Sequence, residues 1–176
     1  MFRDLACCTA RLKGPRFEGA VIAAAEWSRE GDEKAQENGG MPEILRDRHG
    51  MMTVRAADAS GALVLKMLLG RKAPAMRESG ADGVLHLMAQ AEDIGHDAIC
   101  MMFTADEVRS FVHDVDDTNL LHKGAQPLVP GLLIMERLLK HPSLKGCSRM
   151  SMKFTTPVFV GQKLQITFAG DNRAEK

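Results

Sequence analysis

The sequence predicts an α+β fold in which a sheet packs around one apolar helix. Three stretches carry this expectation. Residues 51–69 are two strand-like runs separated by Asp58-Ala-Ser-Gly61, whose residues suit a tight reversal, so a β-hairpin is expected there. Residues 132–141 are apolar on nearly every side except at Glu136 and Arg137, as in a helix enclosed by a sheet. Residues 149–156 and 163–168 read as two more strands, joined through Pro157 and Gly161. A chain of 176 residues with 45% apolar content can bury one good core. One domain with an appendage is expected: a core over 84–176, preceded by an N-terminal segment over 1–83 that contains the hairpin.

Taken in order, residues 1–14 show no clear pattern and are expected to be mobile. Residues 17–27 suit a helix by propensity and a strand by their apolar run, since short runs are not separated by period alone. Residues 28–40, rich in Glu, Lys, Gly and Gln, read as a solvated helix end or loop, and 70–83, with Pro74 and small-residue breaks, as a linker. Val84, Leu85, Leu87, Met88 and Ala91 have helical spacing. A short strand is expected over 99–103. Thr104-Ala-Asp-Glu107 then has the capping-box pattern of a helix start, with Val108, Phe111 and Val112 as the buried stripe and Asp106 and Arg109 facing outward. That helix delivers the chain to Asp117. Pro142 and Gly146 end the apolar helix.

Chemistry concentrates between Val115 and Glu136. Asp117, Asn119 and His122 lie together just before the Pro130-Gly131 turn that opens the apolar helix. The imidazole of His122 titrates near neutrality and is the natural proton carrier, with Asp117 placed to orient the ring or share the transfer. Glu136, fourteen positions further on among apolar neighbours, is expected to have a raised pKa. Gly131 places an unobstructed backbone N–H at a helix start, where amide dipoles favour a developing negative oxygen. Each residue also has a plain structural reading. Asp and Asn before helices cap them, and a lone His is usually a hydrogen-bonded structural residue.

Basic and acidic residues balance at 23 each, which argues against nucleic acid or an anionic membrane as partner. Cys7, Cys8, Cys100 and Cys147 lack metal-ligand spacing, and reduced thiols in cytoplasm fit them best. No apolar run has the length of a signal peptide or a membrane span. The densest titratable cluster, His113 with Asp114, Asp116 and Asp117, reads as a solvated acidic turn rather than a metal site.

Asp117-Thr-Asn-Leu-Leu-His122 resembles the Gly-Asp-x-Asn-Pro-x-His motif of the MaoC-like (R)-specific enoyl-CoA hydratases. The run from His122 through Pro127, Pro130 and Gly131 to Glu136 is similar in spacing to the β-hydroxyacyl-ACP dehydratases. Residues 152–164, with Pro157, Val158 and Gly161, resemble a strand–Pro–Val–Gly–strand segment of both groups. The resemblance spans about residues 100–168. It implies a hotdog fold, a curved antiparallel sheet wrapped around one helix, and the loss or addition of water across the α–β bond of an acyl thioester of coenzyme A or acyl carrier protein. It further implies a homodimer, no metal and no redox cofactor.

By position, the hydratase pattern assigns chemistry to Asp117 and His122 with Asn119 in support. The dehydratase pattern pairs His122 with Glu136, and in both the Val129-Pro130-Gly131 turn binds substrate. The sequence departs from the patterns with Asp116 for Gly, Leu120 for Pro and Gln162 for Asp. The alternatives are a non-catalytic acyl-thioester binding module and a hotdog thioesterase. A hotdog sheet also needs about two strands after Phe168. The expected order is therefore permuted, with the 51–69 hairpin beside 163–168, or incomplete at its C-terminus, with strands from a partner or a second unit.

Overall fold

A computed structural model of the chain describes residues 2–30, 41–70 and 98–168, together with the backbone of 85–91. The protein is α+β. Its elements are α1 (Phe2–Ala10), β1 (Val21–Ser28), β2 (Glu43–Arg48), β3 (Met51–Asp58), β4 (Gly61–Leu68), β5 (Leu85–Ala91), β6 (Ile99–Met101), α2 (Ala105–Asp114), α3 (Gly131–Leu139), β7 (Arg149–Lys153) and β8 (Leu164–Phe168). Single 3₁₀ turns occupy Leu120–His122 and Pro142–Leu144.

The strands form one sheet in the order β2-β3-β4-β1-β7-β5-β8-β6. All neighbours are antiparallel except β5 and β8, which run parallel, so the sheet is mixed rather than purely antiparallel. The hairpin forms where expected, β3 pairing with β4 from Met51↔Leu68 to Asp58↔Gly61. It does not lie beside residues 163–168. It joins the sheet through β1, which pairs with β4 on one side and β7 on the other, while β5 and β6 flank β8.

One face of the sheet carries the core. The period-two alternation of strand side chains lines up Val54, Leu65, Ala25 and Met152 in one row and Ala56, Leu63, Trp27 and Met150 in the next. All eight are buried. α3 packs into the same cluster and is enclosed as its composition requires, with Leu132, Leu133, Ile134, Met135 and Leu138 buried. At roughly 2 kcal/mol for each large apolar side chain removed from water, this helix is a principal contributor to stability.

Of the two readings open for 17–27, the strand forms, as β1 from Val21, because its apolar positions find cross-strand partners on both sides. Two local expectations are corrected. The helix expected from Val84 to Ala91 is instead β5 from Leu85, paired with β7 and β8, so tertiary pairing overrides helical spacing. Residues 1–14 are not featureless, since Phe2–Ala10 forms α1 with Leu5, Ala6 and Thr9 buried. Beyond Gly70 the expected linker lies outside the described residues, as do residues 31–40.

Candidate active site

The site begins where α2 ends. α2 opens with the expected capping box: the Thr104 side chain accepts from the Glu107 N–H, and the Glu107 carboxylate accepts from the Thr104 N–H at 2.8 Å. Its last turn closes with the Asp117 N–H donating to the Val112 carbonyl at 2.9 Å and the Asp116 N–H to that of His113 at 3.2 Å. This is the Schellman pattern, which needs a left-handed residue between helix and exit. Asp116 supplies it with φ of +56°. The position favours Gly, and Asp is among the few other residues that tolerate it.

Asp117 therefore leaves α2 with its backbone fixed. Its Oδ1 accepts the Asn119 N–H at 2.8 Å, a local Asx turn. Asn119 Oδ1 accepts from the N–H groups of Leu121 and Gly19, each at 3.1 Å, and its Nδ2 donates to the Ala20 carbonyl at 2.8 Å. The amide thus ties this loop to the segment leading into β1, which makes it a positioning group. The 3₁₀ turn it caps ends at His122. The Leu128 N–H donates to the Leu121 carbonyl at 2.9 Å, bringing the Leu128 carbonyl to within 2.9 Å of His122 Nδ1.

A carbonyl oxygen only accepts, so Nδ1 carries the ring proton and Nε2 keeps its lone pair. That Nε2 lies 3.6 Å from Asp117 Oδ2. The His122 side chain is 13% exposed and that of Asp117 24%. Burial pushes the imidazole below its ordinary pKa, opposed by the Asp117 charge and the Leu128 carbonyl. The ring is accordingly held neutral, with Nε2 available as a base.

The start of α3 forms the next wall. Pro130 is its N-cap and offers no side-chain cap, and the Val129 N–H donates to the Val158 carbonyl at 2.8 Å. Among the described residues, no backbone carbonyl accepts from the N–H of Gly131 or Leu132, as the first turn of a helix leaves them. The Phe154 ring lies against Gly131 so closely that a Cβ there would sit 2.9 Å from Phe154 Cζ. Gln162 Oε1 accepts the Phe159 N–H at 2.9 Å, closing the turn that carries this segment past Pro157 and Val158.

Asp117, Asn119, His122, Val129, Pro130 and Gly131 all line one cavity of about 440 Å³. Most of its remaining wall is apolar, with contributions from α1, β1 and β4. An apolar hollow with a few convergent polar groups is the usual form of a small-molecule site. A second groove shares Asp117, Thr118 and His122 and is edged by Arg109, His113 and Lys123.

Glu136 is not brought to this place. It is 5% exposed but does not line the cavity. Arg3 grips it with two hydrogen bonds, Nε to Oε1 at 3.0 Å and an Nη to Oε2 at 2.8 Å, and Lys140 Nζ lies 3.0 Å from Oε1. Burial alone would raise its pKa. The hydrogen bonds and charges of Arg3 and Lys140 outweigh that, so the pKa falls below the usual value instead of rising as its apolar neighbours suggested.

The acidic cluster after α2 also disperses. Asp114 pairs with Arg3, Asp116 with Lys13, and Asp117 faces His122. Arg3 and Phe154 were not legible beforehand. The one available signal was that a carboxylate buried in an apolar helix must find a cation. No helix among the described residues is long and apolar enough to cross a membrane. Compared with protein-family models and with curated protein sequences, the chain matches none.

Proposed function

We propose that the chain is a hotdog-fold hydratase or dehydratase acting on an acyl thioester of coenzyme A or acyl carrier protein. The observation that carries this reading is that His122, an adjacent Asp117 and the start of α3 all line one largely apolar cavity. In the hydration direction, Nε2 of His122 takes a proton from a water oriented by the Asp117 carboxylate. The water oxygen adds to the β-carbon. The electron pair moves to the thioester oxygen as an enolate, which the Gly131 N–H and the helix dipole stabilise. Collapse of the enolate returns the proton to the α-carbon, so one water is added and the ring ends neutral. Dehydration is the reverse.

Of the two pairings open from the motifs, Asp117 with His122 is favoured, because Glu136 is engaged by Arg3 and Lys140. The thioesterase alternative loses its main support for the same reason. The test is the loss of conjugated thioester absorbance when trans-2-enoyl-CoA is added, with the gain of one water confirmed by mass. His122→Ala and Asp117→Asn should each lower the rate by roughly 10²- to 10⁴-fold. An unchanged rate in His122→Ala overturns the site, and thiol release without hydration would identify a thioesterase. Saturable binding with no turnover would identify a binding module. Sedimentation of the intact protein tests the homodimer that belongs to this reading.

A further inference from the structure

We infer that α1 is the wall that sets the capacity of the cavity for a straight acyl chain of medium length, and that the Arg3–Glu136 ion pair holds this wall in place. The inference rests on reading the cavity as the acyl-thioester site and deepens it by naming the chain class.

Size comes first. A methylene occupies about the space of a water molecule, whose share of the liquid is about 30 Å³. A cavity of about 440 Å³ therefore takes on the order of ten to fifteen carbon-sized groups. That is well beyond a four-carbon acyl group.

The wall comes next. α1 contributes Ala6, Thr9 and Ala10 to the lining, all small; Ala6 and Thr9 are buried and Ala10 is half-buried, so a larger side chain at position 10 would compete most directly for the cavity. The Thr9 hydroxyl donates to the Ala6 carbonyl of its own helix at 2.8 Å, so it is satisfied without a ligand. An apolar chain can lie along this surface without stranding a polar group.

A nine-residue helix has little stability of its own and is held by tertiary contacts. Here the contacts are specific. Arg3 grips the buried Glu136 with two hydrogen bonds and also reaches Asp114 at 2.6 Å, while Lys13 pairs with Asp116 beyond the helix end. A buried carboxylate is costly without its cation, so Glu136 keeps Arg3, and with it α1, against α3. This assigns Glu136 a positioning role.

The test measures binding rather than turnover. S-alkyl pantetheine thioethers of increasing length, which cannot be hydrated, displace a fluorescent straight-chain fatty acid from the intact protein. For the unmodified protein, affinity should rise roughly three- to fourfold per methylene and level off near ten to twelve carbons. Thr9→Leu and Ala10→Leu, checked for folding by circular dichroism, should level off several carbons earlier. Each should bind the longest ligand at least about tenfold more weakly and the shortest within about twofold. If the buried Thr9→Leu does not fold, half-buried Ala10→Leu carries the test alone, with Ala10→Met as its flexible counterpart. Arg3→Met should blur the plateau and move it to longer chains. Unchanged long-chain affinity in the Ala10 variants, or affinity that stops rising near four carbons in the unmodified protein, overturns the inference. A length plateau without any hydration leaves this wall standing and defeats the hydratase reading, whereas hydration without a length response does the reverse.

Discussion

His122 Nδ1 lies 2.9 Å from the carbonyl oxygen of Leu128, six residues ahead, and that one contact decides which ring nitrogen faces Asp117. With the Nδ1 proton held by the carbonyl, Nε2 is a base whenever the ring is neutral. Burial lowers the folded-state pKa below the ordinary 6.5, so the acid limb of the rate profile should lie below that value. The same shift has a stability consequence. A lowered imidazole pKa means the unfolded chain takes up the proton first. Stability from this group is complete above pH 6.5 and declines as pH falls from there toward the folded pKa. Denaturant titrations at several pH values should show the unmodified protein losing more stability between neutral and mildly acid pH than His122→Gln does.

Glu136→Gln separates anchoring from chemistry. The substitution keeps the shape but removes the charge that Arg3 and Lys140 share, leaving Arg3 with Asp114 alone, and should destabilise by about 1 to 3 kcal/mol, discounted because Arg3 and Lys140 are partly exposed. Turnover of a short-chain substrate should fall by less than about tenfold, whereas loss of a general acid costs roughly a hundredfold or more. Because the Glu136 pKa is lowered, its stabilising effect is present above the ordinary carboxylate value of 4.5 and is lost as pH falls through the folded pKa. Glu136→Gln should therefore flatten the acid side of the stability profile.

Gly131→Ala should force the Phe154 ring aside, since the new Cβ would sit 2.9 Å from Cζ. Overpacking of this kind costs about 1 to 3 kcal/mol. It should also lower turnover, because the displaced ring crowds the helix start. Gly131→Ala combined with Phe154→Leu should recover much of the stability, and a double-mutant cycle measures that coupling.

At Asp116, with φ of +56°, Gly should be tolerated or raise the melting temperature, while Val should lower it and reduce activity by loosening the exit from α2. A Val variant as stable as the parent would show that the left-handed turn is not needed.

What the sequence made legible follows from how local each cause is. The Thr104 capping box, the Asp58–Gly61 reversal and the enclosed helix after Pro130-Gly131 depend on neighbours within a few residues, and each stands as expected. The gathering of Asp117, His122 and Gly131 around one hollow was foreshadowed because a single stretch carries all three. The ambiguous 17–27 run and the helical spacing at 84–91 were decided by distant strands, which a local period does not register. Glu136 went astray for the same reason, because its partner Arg3 lies 133 residues away and belongs to a helix with no sequence signature.

The amide of Asn119 reaches back 100 residues to Gly19 and 99 to Ala20. Long loops must close before such contacts repay their entropy, so they form late. The hairpin and α2 can appear early, yet the reactive pocket matures only when the opening and middle of the polypeptide have found each other. During synthesis Gly19 and Ala20 emerge first, and they gain their partner only when the chain has grown about 100 residues further, so this corner of the cavity closes late.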